Sequence, residues 1–183
     1  EAGERLLRDT VWQWIPIGDL QIDVSFMVDE LTAVMILFVT GVAFLIHLYS
    51  AGYMKGDKGY ARFFAYLNLF VGMMLILVLG DNLPVLFVGW EGVGLCSYLL
   101  VGFWYEDLAN SAAGKKAFLV NRIGDFGFLL GMLVIAKALS GQVGGENLLS
   151  FTVMAQHLDL LAPVATVAAL LLFMGATGKS AQI

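Results

Sequence analysis

Five apolar runs, each close to the length that crosses a bilayer, constrain this 183-residue chain more than any other feature. About 20 residues of α-helix span the roughly 30 Å of hydrocarbon. The runs are 27–49, 61–79, 83–104, 117–138 and 160–178. Lipid offers a backbone no hydrogen bonds, so only helices or closed barrels span it. Barrel strands alternate apolar and polar residues, and these runs are too long and too uniformly apolar for that. Charged residues make up 14% of the chain, against about a quarter in soluble domains. The expected fold is all-α: a polytopic transmembrane helix bundle over 27–183, preceded by a polar, interfacial segment over 1–26.

The connections give the bundle an orientation. The first and second runs are joined by "SAGYMKGDKGYAR", with Lys55, Lys58 and Arg62. The third and fourth are joined by "YEDLANSAAGKK", ending in Lys115 and Lys116. The other two connections, "GDNL" and "ALSGQVGGENLLSFTVMAQHLD", hold no Lys or Arg. Basic loops stay on the cytoplasmic side, which places residues 1–26 outside. There Trp12 and Trp14 suit an aromatic interfacial belt, while Arg5 and Arg8 weigh slightly against the assignment. The last connection is broken at Gly144 and Gly145 and reads as a plain connector, or as a short surface helix within "NLLSFTVMAQHL". The polar opening "EAGERLLRDT" and the abrupt "GKSAQI" read as the ends of a piece cut from a longer chain.

Four ionisable residues are read as lying within spans away from the ends: Glu91, Arg122, Asp125 and Lys179. Each costs on the order of 2.5–3.5 kcal/mol at mid-helix on insertion scales, so each needs a partner, water or a task. Glu91 shares a helix face with Gly94, Tyr98 and Gly102. Small residues there permit close helix approach or leave room for water. The plainer alternative is a protonated acid that hydrogen-bonds one helix to another. In "NRIGDFG", Arg122 and Asp125 stand at i, i+3, the spacing of an intrahelical ion pair. Gly124, Gly127 and Gly131 form a close-packing stripe on the other side. In "FMGATGKSAQI", Lys179 follows Gly175 and Gly178. A helix broken at a lysine resembles the ion sites of transporters, whereas a lysine snorkelling from a helix end is the structural alternative. Two buried groups of opposite type can share and pass one proton. The third and fifth helices are therefore expected to touch, with Glu91 near Lys179.

Other chemistries lack their residues. No basic patch suggests nucleic acid. Cys96 is the single cysteine, which excludes an internal disulfide and a four-thiolate metal site. His47 and His157 lie too far apart in the topology for a metal or haem pair. "GWEGVG" lacks the strand–loop–helix setting and the Lys-Ser/Thr ending of a phosphate loop, and "GKS" at 178–180 follows no glycine-rich loop.

The segments "FFAYLNLF", "LGDNLPVLFVGWEGVGLCSYLLVGFWY", "KAFLVNRIGDFGF" and "GATGKSAQI" closely resemble the largest antiporter-like membrane subunit of respiratory complex I. This class is called NuoL in bacteria and NADH dehydrogenase subunit 5 in mitochondria. The likeness runs from about Val24 to Ile183. It implies that the five runs are family helices three to seven, in an antiporter-like half-channel fragment whose last helix is broken. It implies a proton relay between Glu91 and Lys179, with Arg122 and Asp125 as a modulating pair. It implies no cofactor in this chain: FMN, iron–sulfur clusters and quinone belong to partner subunits. Implied partners are the other membrane and peripheral subunits of complex I and the lipid bilayer, in a bacterial inner membrane rather than a mitochondrial one. Two readings stay beside it: a subunit of an Mrp-type cation/proton antiporter, and a structural membrane segment without transport.

Overall fold

A computed structural model describes residues 6–18, 20–143 and 147–180. Arg5, Gly144, Gly145 and the final "AQI" lie outside the described residues. The chain begins with an antiparallel hairpin, β1 (Leu7–Ile17) and β2 (Leu20–Val28). Residues 1–26 were expected to be only polar and interfacial. The reason for a hairpin lies in the β-branched and aromatic run "VWQWIPI", in "IDVSF", and in the tight turn between Ile17 and Leu20. Gly18 takes the positive φ of 56° that this turn requires. Register shifts after Thr10 and Gln13 bend β1 along its partner.

Among the described residues, four helices are long and apolar enough to cross a membrane: α1 (Glu30–Tyr53), α2 (Tyr60–Leu79), α3 (Leu83–Val101) and α4 (Leu108–Leu139). Asp29 caps α1, its Oδ1 accepting from Thr32 N at 2.7 Å. That backbone hydrogen bond holds the Asp29 carboxyl below its ordinary range. Asn82 caps α3 through Val85 N at 2.9 Å. The connection after the third run is shorter than expected, because α4 starts at Leu108 rather than 117. Asp107 caps it, accepting from Ala109 N at 2.9 Å, and alanines carry its first turns. Lys115 and Lys116 thus belong to the helix and not to a loop. At 32 residues α4 is about 48 Å long, longer than the hydrocarbon it crosses.

The fifth run gives a shorter helix, α7 (Ala165–Lys179), of 15 residues. Before it come α5 (Phe151–Gln156) and α6 (Leu158–Leu161), so the connector does contain a short helix within "NLLSFTVMAQHL". Described α7 ends at Lys179 with Ser180 as its cap. It packs along α4 through the expected glycine stripe. A Cβ on Gly124 would lie 3.2 Å from both Gly175 O and Gly178 Cα. Gly124→Val is therefore expected to destabilise the protein by about 1–3 kcal/mol. Gly41→Ala, where nothing lies within 4 Å, should be neutral. Thermal unfolding of the detergent-solubilised protein reads both.

Two polar staples hold the ends. At the lysine-bearing end, the Trp104 indole N–H donates to Asp57 Oδ2 at 3.0 Å, and Gly59 N donates to Oδ1 at 2.6 Å. The Trp104 bond, then the Gly59 bond, hold the Asp57 carboxyl below the usual range. The Arg62 guanidinium lies 4.8 Å from the Phe103 ring centre and 5.0 Å from that of Tyr105.

At the hairpin end, Arg8 Nη2 meets Asp81 Oδ2 at 2.6 Å and donates to Ser150 Oγ at 3.2 Å. Ser25 Oγ donates to Asp81 Oδ2 at 3.0 Å. Asn82 Nδ2 donates to Asp23 O at 2.8 Å and to Ser25 Oγ at 3.1 Å. Ser25, Asp81, Asn82 and Ser150 are all fully buried. This knot joins the hairpin, the α2–α3 turn and the connector leading to α7. Arg8, which counted against the orientation, is a structural residue of the knot.

Candidate functional site

The ionisable residues singled out in the sequence gather where α3, α4 and α7 meet, but not in the expected pairs. Glu91 on α3 forms an ion pair with Arg122 on α4. Arg122 also lies over the Phe118 ring, 4.7 Å from its centre. Asp125, one turn further along α4, is 3% exposed and accepts the Trp90 indole N–H at 2.7 Å. The expected intrahelical Arg122–Asp125 pair is not formed. The spacing i, i+3 puts two side chains within reach of one another, but α3 offers each a better partner. The long guanidinium reaches across to a carboxylate, and the short carboxylate takes a donor that needs one.

Lys179 does not join Glu91. No ion pair between them exists among the described residues. The Lys179 Nζ lies 5.5 Å from the Trp90 ring centre. It is buried and has no hydrogen-bond partner among the described residues. It sits against Gly94, with Asn121 nearby on α4. The physical reason is competition: Arg122 already neutralises Glu91, and an exposed guanidinium reaches it more easily than an amine anchored at the end of α7.

The face predicted for α3 is the packing face. Gly94 faces Lys179, Tyr98 packs on Phe118 of α4 with ring centres 5.6 Å apart, and Gly102 meets Gly114. A cavity of about 720 Å³ opens between α2, α3, α4 and α7. Trp90, Gly94, Ser97, Lys116, Asn121 and Lys179 line it, with apolar residues of α2 on the far wall. Lys116 and Lys179 thus line one cavity. Sequence reasoning does not single out Trp90 or Asn121. The signal for Trp90 was present: an indole N–H inside a span must find an acceptor, and the buried acids are the acceptors at hand.

A bundle of apolar helices with an ion pair, a buried acid and a buried amine at their junction defines the class: a multi-pass membrane protein that carries charged groups among its helices. Residues 14–64 match the family described as the N-terminus of NADH-ubiquinone oxidoreductase (complex I) chain 5. Residues 80–183 match the NADH:quinone oxidoreductase/Mrp antiporter transmembrane family. The chain belongs to this second family, as the motif resemblance implied. It is 46% identical over 182 residues to NADH-quinone oxidoreductase subunit L of Escherichia coli K12, covering 99% of this chain and 29% of that protein. Against the subunit L of Mycobacterium tuberculosis H37Rv it is 44% identical over 180 residues, covering 98% of this chain and 28% of that one. The chain therefore spans less than a third of the length of these relatives. The fold also matches the Mrp complex from Dietzia sp. DQ12-45-1b, with a TM-score of 0.73 at 24% identity, over 96% of this chain and 18% of that one.

Proposed function

We propose that this chain is part of a proton-translocating membrane subunit of a bacterial NADH:quinone oxidoreductase, in which Glu91 and Lys179 relay protons. Arg122 and Asp125 modulate them. Redox chemistry, with its FMN, iron–sulfur clusters and quinone, belongs to partner subunits of the complex in the inner membrane. The observation that carries the proposal is the Glu91–Arg122 ion pair at the α3–α4 contact, beside a buried amine that has no hydrogen-bond partner among the described residues. A purely structural pair leaves no reason for the amine.

In this arrangement Arg122 holds Glu91 away from Lys179. Proton exchange between acid and amine then requires Glu91 to leave Arg122, so the α4 cation acts as a brake. Asp125 is fixed by the Trp90 N–H. Asp125→Asn keeps an acceptor for that bond and removes a charge from the cluster, so pumping should fall several-fold without being abolished. Proton uptake by membrane vesicles during NADH oxidation measures this. Abolition by Asp125→Asn together with normal pumping by Glu91→Gln would exchange the roles of the two acids.

The fold likeness to an Mrp complex favours one second reading, cation/proton antiport. The test is transport with and without an electron donor. Proton movement that requires NADH, with this subunit co-purifying with the NADH-oxidising subunits, supports the first reading. Sodium-driven proton exchange without any donor supports the second.

A further inference from the structure

Lys179 presents a problem that the relay alone does not solve. Its Nζ is buried among α3, α4 and α7 with no hydrogen-bond acceptor among the described residues. A cation taken out of water needs some source of negative potential. One such source is the face of Trp90, whose centre lies 5.5 Å away, within the range of a cation–π interaction. Two further observations show that this place is shaped for the amine. The side chain occupies the space that a Cβ on Gly94 would fill. The indole itself is held in position: its N–H is fixed by Asp125 at 2.7 Å, and Phe128 packs against it with ring centres 5.3 Å apart.

We propose that Trp90 and Gly94 are positioning residues that form a seat for the Lys179 amine, with Trp90 supplying the face and Gly94 the room. The inference rests on the relay reading of Lys179 and deepens it. It makes the bond between Asp125 and the indole N–H a support that orients the ring, while the ring face itself holds the amine. It also gives the amine a resting place separate from Glu91 while Arg122 holds that acid.

The test compares variants of the intact complex, with vesicle proton pumping normalised to NADH oxidation and to assembled complex. Trp90→Phe and Trp90→Leu both lose the bond to Asp125, and only the second loses the aromatic face. Trp90→Phe should retain pumping to within about twofold of wild type, and Trp90→Leu should fall by about fivefold or more. Gly94→Ala should fall similarly with assembly unchanged, because the added methyl meets the movable tip of Lys179 and no backbone. Equal activity of the Phe and Leu variants would overturn the seat. So would wild-type pumping in both Trp90→Leu and Gly94→Ala when Lys179→Met has lost it. Wild-type pumping in Lys179→Met would overturn the relay reading itself, whatever the seat variants do.

Discussion

Glu91→Gln should leave the complex assembled and nearly abolish its proton pumping. The amide matches the acid in shape and both donates and accepts hydrogen bonds, so packing between α3 and α4 is kept. Two things are lost. The Gln side chain cannot take up and release a proton at working pH, and it cannot hold Arg122 as an ion. A structural hydrogen bond survives the first loss and a proton relay does not. Glu91→Asp keeps the charge on an arm one methylene shorter and should retain a sizeable part of the activity. The measurement is proton uptake coupled to NADH oxidation, normalised to assembled complex. Wild-type pumping by the Gln variant would reduce Glu91 to a helix-packing residue.

The second large effect belongs to the knot at the hairpin end, and its sign pattern is specific. Asp81 is 0% exposed while the Arg8 side chain is 37% exposed. Arg8→Ala leaves a fully buried carboxylate without its cation, a loss of about 3–5 kcal/mol. Asp81→Asn should cost less, about 1–3 kcal/mol, because Ser25 can still donate to the amide oxygen and Arg8 can turn to water. The double variant should be less destabilised than the sum of the two. Thermal stability of the assembled protein in detergent measures all three. A larger loss for Asp81→Asn than for Arg8→Ala would mean that the hydrogen-bond network, and not the ion pair, holds the turn.

The spans were legible because continuous apolar runs of helical length have no other stable form in this setting. The costly charges were legible for the same reason: Glu91 and Asp125 stand out against apolar neighbours. Their pairing was not. Spacing along α4 shows that Arg122 reaches Asp125, but which side chain a neighbouring helix presents depends on helix rotation, and that is set by glycine contacts such as Gly124 on Gly178. The hairpin is legible in "VWQWIPIGDLQIDVSF", which carries a strand signature with a turn, but polar residues flanking an apolar run mask it. The early start of α4 is readable from Asp107 ahead of an alanine-rich stretch; Lys115 and Lys116 disguise it, because paired lysines also suit a loop.

The most direct question is whether Glu91 changes its protonation during turnover. Reaction-induced infrared difference spectra of the assembled complex, recorded in light and heavy water for wild type and Glu91→Gln, answer it. A proton-exchanging Glu91 gives a protonated-carboxyl band that comes and goes with NADH oxidation, shifts in heavy water and is missing from the Gln variant. Carboxyl bands that are identical in wild type and variant would contradict a relay through Glu91.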